Sequence, residues 1–305
     1  MTSGGFHCRH LAVVGLGLMG GSAALALRGV ADTITGMDVS AETREVALAR
    51  GIVDRATDDL RAGVKDADVV ILASPVREIV EVLRRRIGSY LRSNTLLIDL
   101  GSTKQDICTA MAELPIGIQA VGGHPMTGKE NSGIRASEAA LYRGRPFVLC
   151  PTRRTTPAAR LRALMLVDAL GAVPIEMDAA RHDHVVAAIS HLPYLLSAAL
   201  VATVAQEGQT DAAVWQLAAG GFRDMSRLAA SDVQMMGDII STNTQAVATL
   251  LALFRVQLAL LEAKLIARDE QHLAEALRPT RAARIDWMEH YGSGIQNGAQ
   301  HGSGR

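Results

Sequence analysis

The chain has 305 residues, 31 Lys and Arg against 31 Asp and Glu, and 49% hydrophobic residues. Zero net charge argues against a nucleic-acid or membrane-surface binder, which needs a basic excess, and the apolar fraction excludes wholesale disorder. Aromatics make up only 3% of the chain, so Ala- and Leu-lined helices are expected and an aromatic-rich sandwich is not.

The first half alternates short apolar runs with amphipathic stretches. Leu11–Gly15, Thr33–Met37, Val69–Ala73, Leu96–Asp99, Gln119–Val121, Phe147–Leu149 and Val173–Met177 read as strands. Ser22–Arg28, Ala41–Arg50, Val76–Ile87, Lys104–Glu113 and Pro157–Leu170 read as the helices between them. Near-continuous Val, Ile and Leu in the strands suits a parallel sheet covered on both faces, so residues 1–177 are expected to form a doubly wound α/β domain.

From Ala179 the strand-like runs stop. Arg181–Gln206, Asp211–Ala219, Asp232–Ala267 (broken once) and Glu270–Leu277 read as helices, with Pro279 ending or kinking the last and Arg281–His290 resuming it. Residues 178–291 are therefore expected to be all-helical. Gly292 to Arg305 holds five glycines and reads as a flexible tail.

Leu11 to Leu27 is uncharged and could pass for a signal peptide, but Gly15, Gly17, Gly20 and Gly21 suit a strand, a turn and a helix better. Elsewhere Pro193–Ala205 is too short to span a membrane and Arg255 interrupts Ala246–Leu261, so no membrane partner is expected. Cys8, Cys108 and Cys150 are sparse and far apart, which suits a reducing cytoplasm.

Gly15-Leu16-Gly17-Leu18-Met19-Gly20 follows a strand and opens a helix. Its glycines permit the tight turn, the approach of a pyrophosphate and close helix–strand packing, and the helix N-terminus offers free N–H groups to the phosphates. Asp38 ends the second strand, where a carboxylate accepts from a ribose 2′-hydroxyl and repels a 2′-phosphate, so NAD is favoured over NADP. The plainer reading makes Asp38 a turn residue ahead of the Ser40 cap. Ser74 and Pro75 end the next strand and are expected to pass beneath the dinucleotide, with Val76 beside them opening a helix.

Two further strand ends carry polar residues. Ser102 follows Asp99-Leu100-Gly101 and could cap the next helix; His124 sits in the Gly122-Gly123-His124-Pro125-Met126-Thr127-Gly128 segment. A neutral histidine there suits the base that a dehydrogenase needs. His182, His184 and His191 have no completing Cys or acidic set, so no metal is expected. Arg223 and Arg227 flank Asp224 four residues apart after a glycine break, a spacing that suits either a carboxylate clamp or a solvated face with Asp224 pairing locally.

In order and content, GLGLMGGS, DLGSTK, GGHPMTGKENSG, HDHVVAAISHLP and GFRDMSRLAASD resemble the prephenate/arogenate dehydrogenase family of tyrosine biosynthesis. The resemblance runs from Leu11 to about Met236 and more loosely to His290. It implies a Rossmann-type domain, a helical dimerisation domain and NAD as cofactor. His124 would polarise or remove the proton of the ring 4-hydroxyl, and Ser102 would share that hydroxyl. His191 would contact the substrate, with Thr127 and Gly128 beside it. Arg227 would bind a carboxylate, oriented by Asp224, with Arg223 adding positive potential. Val233-Gln234-Met235-Met236 departs from the tryptophan and proline of many relatives. The chain is expected to be monofunctional and a homodimer. The basic run Thr152-Arg153-Arg154-Thr155 leans slightly to prephenate over arogenate. The competing readings are a β-hydroxyacid-type dehydrogenase, which would need a lysine base on the long helix, and a non-catalytic nucleotide sensor.

Overall fold

In the computed structural model, residues 5–85, 87–129 and 131–292 are described, and the glycine-rich segment 293–305 lies outside them. They form an eight-stranded sheet: β1 (Cys8–Val14), β2 (Ala31–Met37), β3 (Arg55–Thr57), β4 (Val69–Leu72), β5 (Leu96–Asp99), β6 (Gln119–Pro125), β7 (Pro146–Pro151) and β8 (Val173–Glu176). The helices α1 (Leu18–Ala26), α2 (Ala41–Ala49), α3 (Leu60–Val64), α4 (Val76–Arg84), α5 (Ile87–Tyr90), α6 (Gln105–Ala112) and α7 (Pro157–Ala169) lie between the strands. After β8 come α8 (Ala179–Val186), α9 (Leu192–Gly208), α10 (Ala213–Gln216), α11 (Gly220–Ser226), α12 (Val233–Ser241), α13 (Thr244–Ile266) and α14 (Glu270–Trp287). The chain divides into two compact units, Met1–Val247 and Ala248–Arg305.

The sheet order is β3-β2-β1-β4-β5-β6-β7-β8, parallel except where β6 meets β7. The chain therefore winds outward from β1 in both directions, and the crevice beyond the carboxyl ends of β1 and β4 is the switch point at which α/β sheets bind ligands. Val69, Val70, Ile71, Leu96, Leu97 and Ile98 are wholly buried, because helices cover both faces of these central strands. Their burial holds the strand ends, and the polar residues that follow them, in fixed register.

Several boundaries differ from the sequence expectation. The three-residue β3 was not expected; Arg55-Ala56-Thr57 has too little periodicity to signal a strand, and its pairing with Thr35–Met37 makes it one. β6 continues through His124 to Pro125 because β7 pairs with it antiparallel, His124 opposite Val148. Pro279 lies inside α14, which continues unbroken to Trp287; on an exposed helix the carbonyl left without a donor can be hydrated.

The expectation that no helix is long and apolar enough to span a membrane is also corrected. Ala179–Gly208 and Thr244–Ile266 meet that test by length and composition. The first gains its length because a π-helical turn, Ala187–His191, joins α8 to α9 without a break. The second meets the test with Arg255 inside the apolar run. The longer helix buries His182, Asp183 and His191, so its polar face belongs to a folded interior.

Candidate active site

The glycine turn is built by exclusion. Gly15 has φ +92°, and a Cβ there would lie 2.8 Å from the Ala73 carbonyl carbon and oxygen. A Cβ on Gly20 would lie 1.9 Å from the Gly15 oxygen, so α1 can approach β1 only with glycine at this position. Over Gly17, by contrast, nothing lies within 4 Å of where a Cβ would stand, and this residue begins α1 with no side-chain cap. Open space above uncapped helical N–H groups is what an anionic pyrophosphate needs.

Asp38 closes the cradle on one side. Its Oδ2 accepts from Leu16 N at 3.0 Å and its Oδ1 from Ser40 N at 2.9 Å, so both the turn role and a place beside the glycine loop are realised. The Leu16 and Val76 side chains are buried in the core, leaving only their backbone for a ligand, while Leu18 and Met19 pack partly against it. Ser74 and Pro75 lie at the end of β4, against Gly15, with Pro75 at the start of α4. These residues fit a dinucleotide. Asp38→Asn, which removes the charge but keeps an acceptor for the loop, is expected to narrow the NAD-over-NADP ratio of kcat/KM. An unchanged ratio would assign the preference to other residues.

The next two strand ends are tied together by one carboxylate. Asp99 is fully buried; its Oδ1 accepts from Gly123 N at 2.9 Å and its Oδ2 from Gly101 N at 2.8 Å. Lys104, equally buried, pairs with the same Oδ2. The segments bearing Ser102 and His124 are thus held by a single buried ion pair. Ser102 does not cap α6. Asp183 of α8 does, its two oxygens accepting from Lys104 N at 2.7 Å and Gln105 N at 2.9 Å.

His124 Nδ1 lies 2.8 Å from His182 Nε2, with the rings edge to face, and His182 Nδ1 lies 2.8 Å from Asp183 Oδ1. A carboxylate that already receives two backbone N–H groups accepts again from His182 Nδ1–H. In neutral His182, Nε2 is then the acceptor, so His124 donates through Nδ1–H and keeps its lone pair on Nε2. Among the described residues His124 Nε2 has no hydrogen-bond partner. Burial holds the His124 pKa well below the ordinary histidine value, reinforced by the nearby His182, Lys104 and His191. The arrangement is that of a neutral base poised to take a proton.

The remaining expected residues are placed as follows. His191 ends the π turn and is buried; burial lowers its pKa to about 4, against the pull of Asp183. Thr127 donates from Oγ1 to Leu141 O at 3.2 Å, and Gly128 is exposed. Asp224 accepts from Arg223 Nε at 3.2 Å on the exposed face of α11, the local pairing left open by the sequence. Arg227 begins the 3-10 turn Arg227–Ala230, which is tied to α9 by Ala229 N donating to Ser197 Oγ at 3.0 Å. Arg154 donates to Ala112 O and Leu114 O at and just beyond the end of α6.

Three residues of the site were missed in sequence: His182, Asp183 and Asn243. His182 stood in view and was weighed only as a metal ligand, and Asp183 beside it was passed over. A usable signal existed, since Asp183 and His191 are eight residues apart, about two turns along one long helix. Asn243, between α12 and α13, gave none.

Matches to known proteins agree with this geometry. The family model for the prephenate dehydrogenase nucleotide-binding domain matches residues 23–176, and that for the prephenate dehydrogenase dimerization domain matches 178–279. The chain is 37% identical to a prephenate dehydrogenase of Bacillus subtilis over 76% of its length, spanning 63% of that relative. It is 32% identical to a cyclohexadienyl dehydrogenase of Zymomonas mobilis, over 91% of this chain and 95% of that one. A crystal structure of prephenate dehydrogenase from A. aeolicus in complex with hydroxyphenyl propionate and NAD+ superposes with a TM-score of 0.85 at 30% identity, covering 91% of this chain and 98% of that one. With both domain models matched in order over most of its length, the chain belongs to the prephenate dehydrogenase family.

Proposed function

We propose that the protein is an NAD-dependent oxidoreductase that oxidatively decarboxylates prephenate to 4-hydroxyphenylpyruvate, or arogenate to tyrosine, in tyrosine biosynthesis. The observation that carries this reading is the Asp183–His182–His124 chain, which leaves a neutral lone pair on His124 Nε2 at the carboxyl ends of the strands. When bound, NAD supplies the acceptor for the hydride that leaves the hydroxyl-bearing ring carbon. His124 Nε2 takes the ring hydroxyl proton, Ser102 shares that hydroxyl, and the positive charge on His124 is steadied through His182 by the Asp183 carboxylate. The ring carbonyl so formed acts as electron sink for loss of the ring carboxylate as CO2, and aromatisation makes the step irreversible.

Substrate is held by His191 and by the Arg227 guanidinium, whose planar fork suits a carboxylate. Arg223 adds positive potential, Asp224 tempers it, and Thr127 and Gly128 line the segment after His124. Residues 1–177 serve as the nucleotide domain and 178–291 as the substrate and dimerisation domain, a division supported by the two family matches meeting there. A homodimer is supported by Leu253, Val256, Leu260 and Ile266, all more than half exposed on α13. Three buried free thiols suit a cytoplasmic enzyme.

The test is to mix the protein with NAD and prephenate, and separately with arogenate, and follow nicotinamide absorbance. Reduction with neither substrate sinks the proposal. The ratio of kcat/KM values for the two names the substrate.

A further inference from the structure

We propose that Asn243 is a positioning residue that fixes His191 in the tautomer with its proton on Nε2, so that the ring meets the substrate as a hydrogen-bond donor. The argument begins with the connection between α12 and α13, where Asn243 is buried. Its Nδ2 donates to the Asp183 carbonyl oxygen at 2.7 Å. A carbonyl can only accept, so this bond settles which end of the amide faces the helix. The same Nδ2 lies 3.3 Å from His191 Nδ1. An amide nitrogen can only donate; Nδ1 must therefore hold the lone pair, and the neutral ring carries its hydrogen on Nε2. Among the described residues Nε2 has no hydrogen-bond partner.

Protonating His191 would set an Nδ1–H against the amide N–H, so the contact opposes the charged form as well as the other tautomer. The titratable groups that face this ring are Asp183 and His182 on α8 and His124 on β6. Asp183 favours the cation, whereas burial and His182 oppose it and hold the pKa at about 4. The connection itself is anchored, since Thr242 Oγ1 lies 2.9 Å from Thr103 Oγ1, beside Ser102. Asn243 thus belongs to a segment tied to the loop that carries Ser102. A ring locked as donor recognises an oxygen, carboxylate or carbonyl, and offers nothing to an ammonium.

This inference rests on the reading that His191 touches the substrate, and the experiment separates the two. The ring nitrogens of His191 are observed by 15N NMR in the full-length protein with NAD bound. The expected result is a protonated Nε2 and a bare Nδ1 at neutral pH; a proton on Nδ1 overturns the inference without need of any variant. Asn243→Asp places an acceptor against Nδ1, and is expected to move the proton to Nδ1 and to shift the acid limb of the pH profile upward. It should also raise KM for prephenate by roughly tenfold or more, with NAD affinity kept. An unaltered KM and pH profile in a folded Asn243→Asp protein whose tautomer has reversed also overturns the inference. His191→Phe with unchanged KM would instead remove the substrate contact on which the inference rests.

Discussion

Replacing His124 with asparagine is expected to lower kcat by about 10²–10⁴, the usual contribution of a positioned general base, with NAD affinity largely kept. The structure separates these two effects. His124 sits on β6 and is joined to His182 and Asp183, whereas the proposed dinucleotide cradle, Gly15–Gly20 and Asp38, lies at the ends of β1 and β2. Stopped turnover with intact cofactor binding, measured by NAD titration beside steady-state kinetics, is the signature. In the native enzyme the acid limb of kcat/KM should lie below pH 6.5. Burial and three neighbouring cationic or imidazole groups depress the His124 pKa, so the base stays neutral, and competent, at lower pH than a free histidine. A variant that keeps most of its turnover, or an acid limb above 6.5, would contradict the assignment.

Lys104→Met is expected to cost about 3–5 kcal/mol of stability, because it strands the Asp99 carboxylate in the interior without its cation. Asp99 also holds Gly101 N and Gly123 N, so the damage should reach the loop of Ser102 and the end of β6 that carries His124. Urea denaturation measures the loss. The double variant with Asp99→Asn should recover part of it, since the amide oxygen still accepts from one glycine and no charge remains unpaired. Loss of the Lys104 charge also removes one of the causes that depress His124, so its pKa should rise and the acid limb of kcat/KM should move to higher pH. A single variant within about 1 kcal/mol of the native protein would show that the pair contributes little.

Much of the fold was legible because its signals are local. Runs such as Val69–Leu72 and Leu96–Asp99 are apolar over their whole length, and only a strand buried on both faces accounts for that. Gly15, Gly17, Gly20 and Asp38 were legible for a related reason: the turn, the helix start and the strand end are consecutive in sequence. The proton path was not. His124 and His182 are 58 residues apart, and Asn243 meets Asp183 across 60 residues. Their contact depends on how the α8–α9 helix packs on the sheet, which no spacing encodes. The cap of α6 was hidden for the same cause, since Ser102 offered a candidate near in sequence while Asp183, 79 residues from Lys104, was near in space. Pro279 was over-read, because its cost depends on whether the carbonyl it leaves unpaired can reach water.

The Asp183 carboxylate has a consequence for how this enzyme can change over evolution or in the laboratory. The same two oxygens terminate α6 and orient the imidazole behind the base. A residue with one task can be exchanged by degrees, and its pKa or reach adjusted to suit a new optimum. Here any exchange made to retune the proton path also loosens the first turn of a helix and with it the loop that carries Ser102. Adaptation to a different working pH should therefore leave position 183 alone.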